Sequence, residues 1–337
     1  MVTGVVVLSS FVVLRRRSTL SSTIAIYGAF LGIGLIAVGG IIFEGLSPDP
    51  TYTASSMPFS RSWYQPLAIG LGVMITGLSL GIGLVRWPTR PRYMSLGLLM
   101  GGWVLYPYLL PGLTGYTNPI GYALILGTPV LAGYVLWKDA GPVIYTILQD
   151  RVARRFGLGV GLVMALFFMS TTGYMSFFWE EGDPQQTTIV VTSVLYQLVM
   201  WPTLEVVLPD IPFFVAISPG VLIVVGTLSA LIGLNAAVIA RYWRDEEKAG
   251  VTQSTAGTAS IVGACTCGCC GPLISQMAFV AASPAISAPL YWIFVDSASP
   301  LSSLFIIGSI VLFTGTLISS IDSSRVSARS AAFTPAD

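Results

Sequence analysis

Long apolar runs of about twenty residues recur along the whole chain and carry almost no charge. A helix of that length crosses the roughly 30 Å hydrocarbon core of a bilayer. Lipid offers the backbone no hydrogen-bond partners, and continuous apolar runs lack the alternation of barrel strands. The pattern therefore predicts an all-α fold, a polytopic transmembrane helix bundle of about eight spans. The predicted spans are 22–44, 66–86, 93–112, 117–137, 157–178, 212–240, 257–280 and 299–321.

Two further apolar stretches do not fit as spans. Residues 187–208 are predicted to form a re-entrant or interfacial segment broken at Pro202 and Pro209, and 283–295 receive the same interpretation because they are short and hold two prolines. If both crossed, the bundle would have ten spans. Residues 1–322 then form a single integral membrane domain, and the Ser- and Ala-rich stretch 323–337 is predicted to be a disordered cytoplasmic tail.

The start of the chain and a stretch near its middle are apolar or amphipathic without spanning. Residues 2–14 are too short to cross a bilayer, which predicts an interfacial or frayed leader. Residues 138–156 are predicted to lie at the inner side, with an amphipathic run that ends in Arg154 and Arg155.

Basic residues orient the bundle. With eight spans and both termini in the cytoplasm, all of the 16 basic residues except Arg61 lie on the cytoplasmic side, as the positive-inside rule requires. The excess of arginine over lysine is typical of a GC-rich prokaryotic genome, so the predicted location is a prokaryotic cell membrane, with the lipid bilayer as the first partner.

Composition excludes several classes of protein. The chain is 54% hydrophobic and 9% charged, whereas soluble domains carry roughly 25% charged residues. A net charge of +1 without a basic face argues against nucleic-acid binding. The chain has no histidine and no P-loop motif, which removes histidine-based metal or catalytic centres and P-loop nucleotide hydrolysis. No residue is a catalytic candidate, and the sequence favours a protein that is not an enzyme.

The four cysteines of the chain lie within six positions, at Cys265, Cys267, Cys269 and Cys270. On a regular helix they would form two pairs on different faces, but the glycines around them and the following Pro272 favour a distorted backbone that gathers the sulfurs. Thiolates are soft ligands, and this spacing suits Cu(I) better than zinc. The cluster therefore predicts a metal site, with Cu(I) as the candidate cofactor or cargo.

Other roles for the cluster stay open. The thiols could carry a membrane thiol-disulfide relay, or they could pack as small apolar groups where helices approach closely. In a third interpretation, the chain is a non-catalytic subunit or scaffold of a larger membrane complex, or it forms a homo-oligomer. Close to the cysteines, Gln276 could orient an ion or join two helices, and Met277 could extend a copper path or simply pack.

The cysteine run also carries three resemblances. Cys267-Gly268-Cys269 resembles the intramembrane Cys-Pro-Cys of copper-transporting P-type ATPases, although here proline follows the cluster and the chain has no ATPase domain. Membrane thiol-transferring proteins of the CcdA/DsbD type also use cysteines near proline, but place one on each of two helices. The run GACTCGCCGPL and the arginine bias resemble multi-pass membrane proteins of archaea, particularly haloarchaea, and that resemblance implies no activity.

Overall fold

The protein is a bundle of apolar helices capped at one end by a small β-sheet. The computed structural model describes residues 1–17, 20–47, 60–109, 117–177, 186–249, 271–281, 284–295 and 299–332. The helices are α1 Val2–Arg16, α2 Ser22–Leu46, α3 Tyr64–Arg86, α4 Pro91–Leu109, α5 Pro119–Gln149, α6 Arg151–Thr171, α7 Pro219–Ala249, α8 Gly271–Ala281, α9 Pro284–Phe294 and α10 Pro300–Ala332. The strands are β1 Met175–Ser176, β2 Thr188–Tyr196, β3 Val199–Leu208 and β4 Phe213–Ile217.

The predicted helical membrane bundle is confirmed at the level of its class. Among the described residues, six helices are long and apolar enough to cross a membrane, namely α2, α3, α5, α6, α7 and α10. Helix α4 covers the predicted span 93–112 as far as Leu109, where the described residues end, but it is not among those six. Only the last part of the predicted span 257–280 falls on described residues, as α8.

The helix boundaries differ from the predicted ones where the chain leaves the apolar region. Helix α5 continues beyond residue 137 to Gln149, and α6 begins at Arg151, so the predicted inner stretch 138–156 is divided between two long helices. Asp150 lies between them and caps α6 through its side chain, which accepts from the backbone of Val152 and Ala153. A capping aspartate between two helix-forming runs ends one helix and begins the next.

A four-stranded antiparallel sheet, with strand order β1-β4-β3-β2, is absent from the sequence-based prediction. The stretch 187–208, predicted as a re-entrant or interfacial segment, forms the β2–β3 hairpin, and the predicted break at Pro202 is wrong because β3 continues through that residue. Strand β4 pairs only with 204–208 of β3, so Pro202 has a neighbouring strand on one side, where proline is tolerated. The next predicted span likewise begins late, because 213–217 form β4 and α7 starts at Pro219.

Among the described residues, strand β2 is at the edge of the sheet. Unpaired backbone N–H and C=O groups at a sheet edge are not stable against lipid. We therefore expect the sheet to lie outside the hydrocarbon core.

Both ends of the chain are more helical than predicted. Residues 2–14 do not fray: α1 lies antiparallel along α2, with Leu8 against Gly32 and Phe11 against Gly28. At the other end, α10 continues to Ala332, across residues predicted to be disordered from 323. A formed transmembrane helix is already nucleated, so adding further turns costs little. The stretch 283–295, predicted as re-entrant or interfacial, holds α9, which packs against α8 through Phe294 and Gly271.

The bundle has two chemically different ends. We call the end that carries β1–β4 the sheet end, and the opposite end, where Arg15, Arg92, Arg241 and Arg244 lie, the arginine end. Between them α6 and α7 cross at glycines: a Cβ placed on Gly157 would lie 2.6 Å from the carbonyl oxygen of Gly233. Such small-residue contacts let helix backbones approach closely in a membrane.

Candidate functional site

The predicted metal ligands Cys265, Cys267, Cys269 and Cys270 lie outside the described residues. The described part of the chain contains no group of three or more His, Cys, Asp or Glu residues that could hold a metal ion. The structure does describe the helices before and after the cysteines, α7 and α8.

Helices α7 and α10 run in the same direction. The amide of Asn235 donates to the carbonyl oxygen of Phe313 at 3.2 Å, and the hydroxyl of Tyr242, two turns later, donates to that of Ser320 at 2.8 Å. Helix α7 starts beside β4 at the sheet end and finishes at the arginine end, so α10 does the same. The chain between Ala249 and Pro300 therefore has to return from the arginine end to the sheet end.

Helix α8, which follows the cysteines directly in sequence, packs on α2. Leu273 lies beside Gly40, and the Gln276 side chain donates to the carbonyl oxygen of Glu44 at 3.4 Å. This hydrogen bond is the bridge between helices that is one of the two predicted roles of Gln276, and the other role, orienting an ion at the cysteines, stays a prediction. Met277 is 42% exposed on the same short helix.

At the arginine end, Asp150 is the acceptor for two helices at once. Its carboxylate is 4% exposed, caps α6, and receives the guanidinium groups of Arg241 (3.1 Å) and Arg244 from α7. Burial alone would raise the pKa of the Asp150 carboxyl, but the backbone N–H groups of Val152 and Ala153, together with the two arginines, hold this pKa below its ordinary value of 3.8. The charged carboxylate thus joins α6 to α7.

A second carboxylate, Asp139 on α5, holds the start of α4. Arg92 donates to the two oxygens of this carboxylate through Nε, at 2.8 Å, and through Nη2. The Tyr93 hydroxyl donates to the same carboxylate at 2.8 Å. Arg90 donates to the Tyr93 oxygen at 3.2 Å, and the Trp87 ring meets the Tyr93 ring edge to face. Asp139 is 7% exposed, so its charge is compensated inside the structure.

A cavity of about 500 Å³ opens beside this group, between the α3–α4 pair and α10, with α5 behind it. Helices α3 and α4 are in close contact through glycines, since a Cβ on Gly97 would meet Ser79. On α10, a Cβ on Gly308 would lie 3.6 Å from Met100 of α4, whereas a Cβ on Gly315, which lines the cavity, would meet nothing within 4 Å.

The two carboxylates can bind arginine and position helices. Among the described residues they offer no acid–base pair for catalysis. Asp139 accepts from Arg92 and Tyr93, and Asp150 accepts from Arg241 and Arg244, so neither carboxylate is available as a general base. Sequence reasoning named neither of them. For Asp150 a usable signal existed, because Asp followed by a helix-forming run indicates an N-cap. For Asp139 there was none, since its partner Arg92 lies 47 positions away.

No protein-family model matches the chain, and neither curated proteins nor solved structures show significant similarity to it.

Proposed function

We propose that this protein binds or translocates a soft metal ion, Cu(I), in a prokaryotic cell membrane, through Cys265, Cys267, Cys269 and Cys270. The observation that carries the proposal is the concentration of every thiol of the chain within six positions. Thiolates favour Cu(I) among the common biological metals, so the donor set fits this ion.

The directions of α7 and α10 support a role across the membrane. Because α7 finishes at the arginine end and α10 starts at the sheet end, the connection that includes the cysteines joins the two sides of the bundle. An ion that passes between the two sides along this connection would meet the cysteines.

We infer the orientation of the protein in the membrane from its basic residues. Basic residues next to spans are retained in the cytoplasm. The arginine end, with Arg15, Arg92, Arg241 and Arg244, then faces the cytoplasm, and the sheet end faces outward.

The test is copper content under reducing, anaerobic conditions. Full-length protein is incubated with one equivalent of Cu(I), desalted, and measured by elemental analysis together with thiol titration. We expect retained copper at or below one ion per chain, and loss of that copper when all four cysteines are changed to serine. Thr266→Ser, which alters a neighbour and keeps every thiol, is the matched control and retains the metal.

A wild-type protein that retains no copper overturns the proposal. Alkylation of the cysteines that depends on redox state, without copper binding, would indicate a thiol-disulfide relay. Tight co-purification of another chain, unchanged by the serine substitutions, would indicate a scaffold or subunit role.

A further inference from the structure

We propose that strand β2 is a dimerisation edge. The β2 strands of two copies of this chain pair antiparallel, so that their two sheets join into one. This inference does not depend on the cysteines or on metal binding. It rests on the backbone groups that β2 directs away from β3, on the exposure of its side chains, and on its uncharged sequence.

The backbone of β2 alternates between bonding to β3 and facing the opposite side. Strands β2 and β3 are joined by the two-residue turn Gln197-Leu198, so the closing pair, Tyr196 and Val199, exchanges both backbone hydrogen bonds. Pairs alternate along an antiparallel ladder, so every second residue before Tyr196 directs its N–H and C=O groups away from β3. The residues that do so are Ile189, Val191, Ser193 and Leu195.

The side chains of β2 are exposed on both faces of the sheet. In the row Val191–Leu204–Ile217 across β2, β3 and β4, the exposed fraction is 71% at Val191 and 39% at Leu204. A strand on the second side of β2 would cover Val191, so this exposure indicates an open edge. On the other face, which packs on the helices through Trp201, Val190 is still 41% exposed. Strand β2 therefore lies at the periphery of the bundle, where a second copy can reach it.

This edge suits another strand better than it suits lipid or water. Lipid offers the outward backbone groups no hydrogen bonds, and water is an unfavourable surrounding for exposed side chains such as Ile189, Val191 and Leu195. Natural sheets block such edges with charged side chains, proline or bulges. Strand β2 has none of these, since it is uncharged and pairs with β3 residue by residue from Thr188 to Tyr196.

The occupant is a second copy because β2 is complementary to itself. An antiparallel pair centred on Thr192 places Ile189 opposite Leu195, and Val191 opposite Ser193, so every outward residue exchanges its backbone bonds with a partner. The two Thr192 residues then lie opposite each other on the twofold axis, and Thr–Thr pairs stabilise antiparallel sheets. Neither strand carries a charge that would repel its copy.

The membrane permits this symmetry. The twofold axis that relates two identical antiparallel strands is perpendicular to their sheet. From the inner face of the sheet, Val199 lies beside Gly121 and Trp201 beside Gly220, in the first turns of α5 and α7. The sheet thus lies across the ends of these helices, and the axis runs along the bundle. Two copies related by this axis insert in the same direction, as the positive-inside rule requires.

The test is disulfide cross-linking in the membrane. In full-length protein whose four native cysteines are changed to serine, Thr192→Cys adds a single thiol. Opposite residues in such a pair have Cα atoms about 4.5 Å apart, within the range of a disulfide. We expect diamide oxidation of membrane vesicles to convert most of the chain into a disulfide-linked dimer with twice the mass of the chain, as measured by mass spectrometry.

Thr188→Cys in the same background is the matched control, since it has the same residue type on the same strand and face. In the proposed pairing the two copies of residue 188 lie about 27 Å apart, at roughly 3.4 Å per residue along the strand. We expect Thr188→Cys to cross-link at least about tenfold more slowly than Thr192→Cys.

A second pair of variants tests whether strand pairing brings the thiols together. Val191→Lys, added to the Thr192→Cys chain, places a lysine on the open edge and should slow cross-linking at least about tenfold. The β2–β3 ladder should persist, because the Val191 side chain is exposed and its backbone groups face away from β3. Ile211→Lys, at a residue that is 65% exposed and outside β2, is the control and should leave the rate unchanged.

Three results would overturn the proposal. Equal rates for Thr192→Cys and Thr188→Cys would mean that the β2 edges do not meet in this register. Cross-linking of Thr192→Cys that Val191→Lys does not slow would indicate random collision of thiols. A cross-linked product whose mass is not twice that of the chain would mean that another protein, and not a second copy, binds this edge.

Discussion

The arginine end and the sheet end hold the same helices together by different chemistry. At the arginine end the helices are joined by ion pairs, because Asp139 and Asp150 each receive arginine from a neighbouring helix. At the sheet end the connections are backbone ladders and aromatic contacts: the Tyr122 hydroxyl on α5 donates to the carbonyl oxygen of Met200 on β3, and its ring meets Trp201 edge to face.

The comparison shows where ion pairs, and where neutral hydrogen bonds and aromatic contacts, can stabilise a membrane protein. A buried carboxylate needs several donors to offset the loss of water, and arginines that the positive-inside rule concentrates at one side supply them. The sheet end has few arginines, so neutral hydrogen bonds and aromatic packing replace them there. Stability at the two ends should then respond differently to mutation and to pH.

The largest effect is expected at Asp150. Asp150→Ala removes the acceptor for Arg241 and Arg244 and the cap of α6 together. Leaving two arginines without their buried partner and losing a cap should reduce the free energy of unfolding by about 3 kcal/mol. The measurement is denaturant or thermal unfolding of the purified protein in a fixed detergent.

A matched control exists on the same arginine. Asp245 also pairs with Arg241, at 2.8 Å, but it is 47% exposed. Asp245→Asn should change the free energy of unfolding by no more than about 0.5 kcal/mol, since exposed pairs contribute little. Equal effects of the two substitutions would contradict the assignment of Asp150 as the joint between α6 and α7.

A smaller effect is expected at the sheet end. Tyr122→Phe keeps the ring contact with Trp201 and removes only the hydroxyl bond to Met200. We expect a loss of about 1 kcal/mol in the free energy of unfolding, the net value of a neutral hydrogen bond. Tyr145→Phe, at a tyrosine that is 69% exposed, is the control and should have no measurable effect. A loss at Tyr122 as large as that of Asp150→Ala would mean that the two ends do not differ.

The smallest and most specific effect is the response to pH. The folded-state pKa of Asp150 is below its ordinary value of 3.8, so its stabilising contribution is complete above that value and is lost as the pH falls through the folded pKa. The difference in free energy of unfolding between wild type and Asp150→Asn should stay constant from pH 7 to pH 5 and narrow below about pH 4. For Tyr122→Phe the difference from wild type should not change over this range. A gap for Asp150→Asn that widens on acidification would contradict the sign of the pKa shift.

The sheet shows why part of the fold was not predictable. Residues 188–196 are rich in valine and threonine, a composition typical of strands, yet their apolar length was equally compatible with a segment in the membrane. The usual hairpin signal was also missing, because the turn is Gln197-Leu198 and not Asn-Gly, and Gln197 takes a positive φ of 60°. Whether such a segment forms a strand is decided by its pairing with other strands. Pairing depends on several segments together, so it could not be predicted from this segment alone.

The thiol cluster and the cavity differ in how far the sequence alone could reveal them. A cluster of thiols within six positions is visible in one dimension, so the sequence alone could point to Cys265–Cys270. The cavity between α3, α4 and α10 could not be found in that way, because its lining residues, such as Leu78, Met100 and Val311, lie on helices that are distant in sequence.

The amino-acid sequence by itself determined that this chain is a helical membrane protein, approximately where its apolar helices lie, and where its thiols are concentrated. Hydropathy and length act locally, since each segment meets the bilayer on its own. Only the tertiary structure decided that Asp139 and Asp150 join helices, that a sheet closes one end, and that a cavity opens at the other. Those features depend on the rotation and separation of helices that are distant in sequence, and their packing against one another sets both.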